Sequence, residues 1–149
     1  MRSTARVVVI GGGVVGCSVL YHLTKLGWTD VVLIERSELT SGSTWHAAGG
    51  FHTLNSDTNM AALQGYTIRL YRELEELTGQ SCGLHHVGGI TIATTSDRLD
   101  YLKAERAKHR YMGLDTEIIG PEEIMRLSPI TNVTGVLGAL YDPLDGHLD

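Results

Sequence analysis

The sequence predicts a mixed α/β fold that opens with a parallel, right-handed βαβ unit, and three observations support this. Residues 7–10 are all β-branched, as in a buried parallel strand. Residues 14–26 carry apolar side chains at helical intervals, and Gly27 follows as a typical helix-ending residue. Residues 31–34 form a second apolar strand. Because a helical segment separates the two strands, they are expected to pair in parallel.

Length and composition restrict the classes of protein that fit this chain. Its 149 residues suit one domain, and 42% hydrophobic and 19% charged residues are typical of a globular protein. A net charge of −5 argues against nucleic acid or an anionic membrane as partner. No apolar run reaches the roughly 18 residues of a membrane-spanning helix. The two cysteines and the absence of a targeting segment in residues 1–5 predict a reducing, cytoplasmic location.

The same local signals predict the later elements. Hydroxyl side chains in residues 41–44 are expected to cap a short helix from about Trp45. A longer helix ends at Gly79, and its apolar face is predicted to contain Met60, Leu63, Thr67, Leu70, Leu74 and Leu77. The remaining elements are, in order, a strand at 89–95, a helix capped by Ser96, a strand at 116–119, a helix begun by Pro121 and a last strand at 136–141. No element is expected after this strand, so the chain is interpreted as the truncated N-terminal part of a longer protein.

A glycine loop of the form G-x-G-x-x-G joins the first strand to the first helix. Gly11 permits a tight turn, Gly13 lets the backbone approach a diphosphate, and Gly16 lets helix and strand pack closely. The diphosphate is expected near the amides of Val14 and Val15, at the positive end of the helix dipole. The alternative interpretation is a structural glycine turn in an ordinary α/β core.

Glu35 ends the second strand, 24 residues after Gly11. A carboxylate at this place accepts hydrogen bonds from the ribose hydroxyls of an adenosine and repels a 2′-phosphate, which disfavours NADP. Together with the glycine loop it predicts a Rossmann-type dinucleotide-binding fold. These residues alone do not distinguish FAD from NAD.

The segment from Ser41 to Gly50 follows the second strand and is rich in small and hydroxyl-bearing residues. Small residues permit the close approach of a large flat ligand, and Ser43 and Thr44 can bond phosphate or ribose oxygens. His46 lies in the middle of this segment.

At this point the sequence resembles the FAD-dependent dimethylglycine and sarcosine dehydrogenases, which are related to D-amino acid oxidase and glycine oxidase. The resemblance rests on STWHAAG at residues 43–49, and on the loop at 11–16 with Glu35-Arg36. It continues through residues 70–79, 89–95 and 140–147, and so covers essentially the whole chain.

The resemblance implies how the chain is organised and where it contacts its cofactor. Residues 1–83 would belong to the FAD-binding domain, residues 84–141 would begin an interleaved α+β substrate-binding domain, and residues 142–149 would return toward the FAD domain. The implied FAD contacts are Gly11, Gly13, Val14, Val15, Gly16, Glu35, Arg36, Gly42, Ser43, Thr44, Trp45, His46, Ala47, Ala48, Gly49 and Gly50.

In that family the histidine of the Trp-His pair is bonded covalently to the 8α carbon of FAD, and the matching residue here is His46. A neutral imidazole is a nucleophile, so this chemistry suits the residue type. The alternative is a His46 that is hydrogen-bonded near a phosphate, with FAD held non-covalently.

The resemblance also implies the reaction, which is oxidative N-demethylation of dimethylglycine or sarcosine by hydride transfer to flavin. Tetrahydrofolate is expected to concern only residues beyond 149, and no catalytic residue or electron acceptor can be assigned. The 149-residue piece alone is expected to be inactive. Two other classes stay open, another FAD-dependent amino acid or amine oxidase and a non-catalytic regulatory protein with the FAD fold.

The remaining histidines and cysteines predict no metal site. His85 and His86 are adjacent on a strand, so they point to opposite faces and do not share an ion. His22 and His109 are interpreted as ordinary helix residues, and Cys17 as a packed small hydrophobe.

Overall fold

The computed structural model describes residues 3–53, 55 and 57–149, and this part of the chain forms a mixed α/β fold, as predicted. In chain order the elements are β1 Val7–Ile10, α1 Val14–Lys25, β2 Val31–Ile34, a 3-10 helix Ser43–His46, β3 Gly50–Phe51, α2 Thr58–Thr78, β4 Leu84–His85, β5 Gly89–Ala93, α3 Ser96–Tyr111, β6 Glu117–Ile119, α4 Pro121–Leu127, β7 Gly138–Asp142 and β8 Gly146–Leu148. They fall into two compact units, Met1–Ala48 and Gly49–Asp149. None of the helices among the described residues is long and apolar enough to cross a membrane.

The first unit contains the predicted βαβ arrangement. β1 and β2 pair in parallel, in a register that runs from Val7 opposite Val31 to Ile10 opposite Ile34. α1 connects them and ends at Lys25. Leu26 is its C-cap, and the next residue, Gly27, takes a left-handed backbone conformation with φ of 86°. The β-branched strands and the helix-ending glycine are therefore confirmed.

The second unit contains two antiparallel sheets of three strands, in the orders β3–β8–β4 and β5–β7–β6. Two apolar clusters lie on the second of these sheets. Leu102 of α3 packs with Ala93 and Leu140, and Ile124 of α4 packs with Ile119 and Ala139. Pro121 occupies the first turn of α4, as predicted. These clusters make the sheet around β7 the buried centre of the unit.

Helix α2 begins and ends at local signals, but its buried face differs from the prediction. The Asp57 carboxylate accepts from the amides of Asn59 and Met60, and Gly79 ends the helix with φ of 67°. The buried side chains are Ala61 and Ile68, which are seven residues apart and so share a face. The predicted face is wrong for Met60, Leu63 and Leu77, which are 46%, 58% and 67% exposed.

Three further predictions need correction. The predicted last strand is followed by β8, which pairs with both β3 and β4. The cap of α3 is Thr95, whose hydroxyl accepts from the Arg98 amide, so Ser96 is the first helical residue rather than the cap. The short helix after β2 is a 3-10 helix that begins at Ser43 and has no side-chain cap of its own.

Candidate functional site

The glycine loop has the backbone geometry that the sequence predicts. Gly11 has φ of 103°, a conformation that L side chains rarely adopt. A Cβ atom at Gly16 would overlap the Gly11 carbonyl oxygen, so only glycine lets α1 begin so close to the turn. The Gly11 amide donates to the Ile34 carbonyl at 2.8 Å, which ties the loop to the end of β2.

The N-terminus of α1 presents backbone donors beside this loop. The Cys17 amide donates to the Gly13 carbonyl, so the amides of Val14, Val15 and Gly16 precede the first intrahelical bond. The Thr44 hydroxyl oxygen accepts from the Val14 amide at 3.0 Å. A Cβ atom at Gly13 would lie 3.0 Å from the same oxygen. Thr44 therefore fills the role of a helix cap for α1, which the sequence had assigned to the short helix instead.

Glu35 is held against the loop by two backbone amides. Its Oε2 accepts from Gly12 at 2.6 Å and its Oε1 from Ser37 at 2.9 Å. These bonds, that from Gly12 foremost, lower the pKa of Glu35, which favours its ionised form. A carboxylate oxygen has a second lone-pair site, so both oxygens can still accept from a hydroxyl group.

Gly12 is a site residue that sequence reasoning missed. It is buried, and a Cβ atom there would overlap Leu39 and press on the Glu35 side chain. The G-x-G-x-x-G pattern leaves this position unspecified. The available signal was the third glycine in the run Gly11 to Gly13, next to the residue that binds the carboxylate.

His46 lies in the 3-10 helix with one ring nitrogen engaged. Its Nδ1 is 3.0 Å from the Gly42 carbonyl oxygen, which can only accept, so Nδ1 carries the proton in this bond. The Trp45 ring packs against the imidazole with centroids 4.0 Å apart, and its Nε1 donates to the Ser41 carbonyl. In this tautomer His46 Nε2 keeps its lone pair, on a side chain that is exposed.

The other predicted FAD contacts fall into three groups by their place in the structure. Gly11, Gly13, Val14, Gly16, Glu35 and Thr44 meet at the N-terminus of α1. Val15, Arg36, Ser43, Ala47 and Ala48 are exposed residues of the same unit. Gly49 and Gly50 belong to the second unit, where a Cβ atom at Gly49 would overlap the Leu148 carbonyl oxygen.

The second unit contains a polar cluster that the sequence did not predict. Asp145 Oδ1 accepts from the Thr53 amide at 3.0 Å, and its Oδ2 lies 3.3 Å from His52 Nδ1. The Thr53 hydroxyl donates to the buried Asp142 carboxyl. Burial and the neighbouring Asp142 raise the pKa of Asp145 to about 6, although the hydrogen bond from the Thr53 amide acts to lower it. These four residues come from distant parts of the sequence, so no local pattern reveals them.

His109 is interpreted from the sequence as an ordinary helix residue, but the structure buries it. It is 2% exposed, and its Nδ1 lies 3.3 Å from the Thr116 hydroxyl. Burial lowers the pKa of His109 and favours the neutral ring. Glu105 is buried four residues earlier on the same helix face. His109 is thus a core histidine that joins α3 to the start of β6.

Comparison with known proteins identifies the family. The model of the DAO family, described as FAD dependent oxidoreductase, matches residues 6–149. This chain belongs to that family. The match supports FAD over NAD as the dinucleotide, a choice that the glycine loop and Glu35 leave open.

Two relatives show how much of the family's length is present here. The chain is 45% identical over 148 residues to mitochondrial dimethylglycine dehydrogenase of Rattus norvegicus, covering 99% of this chain and 17% of that protein. It is 45% identical over 150 residues to mitochondrial sarcosine dehydrogenase of Homo sapiens, covering 100% of this chain and 16% of that protein. The chain therefore spans about one sixth of the length of these relatives. The cytoplasmic location of this protein stays a prediction.

A solved structure confirms the fold. L-proline dehydrogenase from P. horikoshii superimposes on all of this chain with a TM-score of 0.90 and 26% identity, and the match covers 39% of that protein. The division into an FAD segment and a substrate-binding segment near residue 84 stays a prediction.

Proposed function

We propose that this chain is the FAD-binding N-terminal portion of an oxidoreductase that demethylates an N-methylated glycine, of the dimethylglycine or sarcosine type. The observation that carries the proposal is the orientation of His46. Its Nδ1 is bonded to the Gly42 carbonyl, so Nε2 is the nucleophilic atom, and it lies in the segment STWHAAG. The 45% identity to the two dehydrogenases supports the choice of substrate class.

The residues of the first unit fit an FAD molecule at the phosphate and ribose groups. The amides of Val15 and Gly16 at the start of α1 and the O–H group of Thr44 are donors for a diphosphate, and glycine at position 13 leaves Thr44 its place beside them. The Glu35 carboxylate is ionised and faces the same loop, so it can accept from ribose hydroxyls. The same negative charge opposes a 2′-phosphate and thereby favours FAD over an NADP-type ligand.

His46 would attach the cofactor through Nε2. The Gly42 carbonyl holds the proton on Nδ1 and orients the ring, against which Trp45 packs. FAD, when bound, supplies the acceptor for a hydride from the N-methyl carbon of the amine. Attachment through His46 would prevent loss of the cofactor between turnovers. Tetrahydrofolate and the electron acceptor are not assigned to any residue of this chain.

The test uses the protein at the full length that its gene encodes, expressed with FAD available and then denatured in acid. We expect yellow colour to stay with the polypeptide, and a tryptic peptide that contains His46 to carry the mass of FAD. His46→Ala should abolish the adduct, whereas His22→Ala, which changes a helix histidine of the same unit, should retain it. Free release of flavin from the unchanged protein would contradict covalent attachment and favour the broader amine oxidase class.

Substrate class is tested separately by anaerobic reduction of the bound flavin. We expect dimethylglycine or sarcosine to bleach its visible absorption, and unmethylated glycine to leave it unchanged. Reduction by common amino acids instead would indicate an amino acid oxidase. A flavin that no amine reduces would indicate the non-catalytic regulatory class.

A further inference from the structure

Two histidines face each other across the antiparallel pair β4 and β8. His85 and His147 are direct register partners, and their rings stack with centroids 5.0 Å apart and planes inclined by 25°. Side chains opposite each other on paired strands lie on the same face of a sheet. The two imidazoles therefore project together, although they are far apart in the sequence.

The Asp149 carboxylate lies near one nitrogen of each ring. Asp149 Oδ2 is 2.8 Å from His85 Nε2, and Asp149 Oδ1 is 3.8 Å from His147 Nε2. One ligand atom from each of the three residues lies within 4.8 Å of the others. The side chains are 48%, 45% and 73% exposed for His85, His147 and Asp149, so an ion can reach them from solvent.

The backbone fixes this arrangement from both sides. The Asp149 amide donates to the Gly83 carbonyl at 3.1 Å, and the Leu148 amide donates to the Gly49 carbonyl at 2.9 Å. A Cβ atom at Gly83 would come within 2.9 Å of the Asp149 backbone and side chain, so glycine is needed there. His85 and His147 thus extend from paired strands, and Asp149 directly follows β8.

We propose that His85, His147 and Asp149 bind a divalent cation of the zinc class. Two imidazoles and one carboxylate form a donor set that zinc and the neighbouring late transition metals prefer, whereas magnesium and calcium prefer oxygen ligands alone. Bonds of about 2.0–2.2 Å require tetrahedral ligand atoms to be roughly 3.4 Å apart. Rotation of the exposed side chains is enough to reach that spacing, and water fills the fourth position.

His86 provides a matched control because it is adjacent to His85 but engaged elsewhere. Its Nε2 lies 2.8 Å from Arg72 Nη2, and its Nδ1 lies 3.0 Å from the Leu144 carbonyl oxygen. It also packs edge-on against Phe51. Because neighbouring residues of a strand point to opposite faces, His85 and His86 do not share an ion. The partner that supplies the second imidazole is His147 on β8.

The experiment is equilibrium dialysis of the chelator-treated chain against Zn²⁺, without flavin, so that its result is independent of the proposed oxidoreductase function. We expect saturable binding of one ion per chain. His85→Ala and His147→Ala should each weaken binding at least tenfold, and His86→Ala should leave it within twofold. Asp149→Asn should weaken binding to the same degree, because an amide oxygen is a poorer ligand than a carboxylate oxygen.

A second readout is the visible spectrum of the Co²⁺-loaded chain, whose ligand-field bands should intensify on binding and disappear in His147→Ala. Circular dichroism checks that each variant stays folded. If a histidine variant does not fold, Asp149→Asn replaces it in the test. Absence of saturable binding, unchanged affinity in His147→Ala, or an equal loss in His86→Ala would each overturn the proposal.

Discussion

Asp142 and Asp145 place two carboxyl groups side by side in a buried setting. They are 1% and 6% exposed, and Thr53 bonds to both. A Cβ atom at Gly89 would overlap Asp145 Oδ2, so the backbone of β5 closes this side of the cluster. Removal from water disfavours a charged carboxylate, which is why Asp145 holds its proton to about pH 6.

Asp145 therefore gives the folded chain a pH dependence of definite sign. Its pKa is raised from 3.8 to about 6, so the folded state binds a proton that the unfolded state releases between these values. The resulting stability is fully present below about pH 4 and is lost as the pH rises through about 6. The raised pKa of Asp145 corresponds to a change of ~3 kcal/mol in the free energy of unfolding between these pH limits.

We predict that Asp145→Asn removes this pH dependence of stability. The stability of the unchanged chain relative to the variant should rise by a few kcal/mol as the pH falls from about 7 to about 4. Urea unfolding across that range measures the difference. Asp100→Asn is the control, because Asp100 is exposed and its side chain bonds the exposed Lys103. A difference that stays flat across the pH range would contradict the assignment of the raised pKa to Asp145.

A second prediction at the scale of single residues concerns Gly16. Gly16→Ala should destabilise the chain by about 2–4 kcal/mol and weaken FAD binding, because the added methyl group overlaps the Gly11 carbonyl. Gly120→Ala is the matched change, since a Cβ atom there meets nothing within 4 Å and its φ is −90°. Thermal unfolding of both variants should show a large loss for the first and less than about 1 kcal/mol for the second. Equal losses of stability in the two variants would mean that the loss comes from replacing a flexible glycine and not from the close approach of residue 16 to the Gly11 carbonyl.

At the scale of elements, the start of α1 depends on a side chain from outside the helix. Thr44 supplies the acceptor for the Val14 amide, although it is 30 residues away. Thr44→Val keeps the shape of the side chain and removes the oxygen, so we expect a loss of about 1 kcal/mol in stability and weaker FAD binding. Thr44→Ser keeps the oxygen and should retain most of both. Flavin fluorescence titration checks the binding, and equal affinity in the two variants would contradict a role for the hydroxyl.

The elements that the sequence predicts well are those whose signals are local. The βαβ unit is marked by β-branched runs and by Gly27, and α2 and α4 are bounded by Gly79 and Pro121. The strands β3, β4 and β8 have two or three residues each and exist only because distant segments pair. Periodicity over so few residues carries no information, so these strands could not be predicted.

The same distinction holds for the candidate site. Gly11, Gly16 and Glu35 are recognisable from spacing because the glycine loop and the end of β2 recur at a fixed separation. The pairing of His52 with Asp145 depends on a contact between residues 93 positions apart. His109 is buried beside Thr116, and Glu105, which a sequence pattern predicts to be solvated, is buried on the same helix. Contacts of this kind follow from packing, which one sequence does not encode locally.

At the scale of the whole molecule, apolar burial differs sharply between the two units. Among described residues 3–48, no apolar side chain is fully buried, and Ile10 and Ile34 are 85% and 54% exposed. The second unit has the clusters around Leu102 and Ile124, which are 2% and 0% exposed. Because stability follows buried apolar area, the second unit is expected to open less readily than the first.

Hydrogen exchange should therefore separate the two units and connect stability to cofactor binding. We predict that peptides covering β5 and β7 exchange slowly, and that peptides covering β1 and β2 exchange faster in the 149-residue chain. FAD should slow exchange in β1, α1 and β2, because a ligand at 100 times its dissociation constant adds about 2.7 kcal/mol to the state that binds it. Peptides covering β6 serve as the internal control and should not change. A ligand held by Gly13, Thr44 and Glu35 stabilises first the elements to which those residues are attached. If FAD slowed hydrogen exchange first in β5, β7 and β6, that result would contradict FAD binding by the glycine loop.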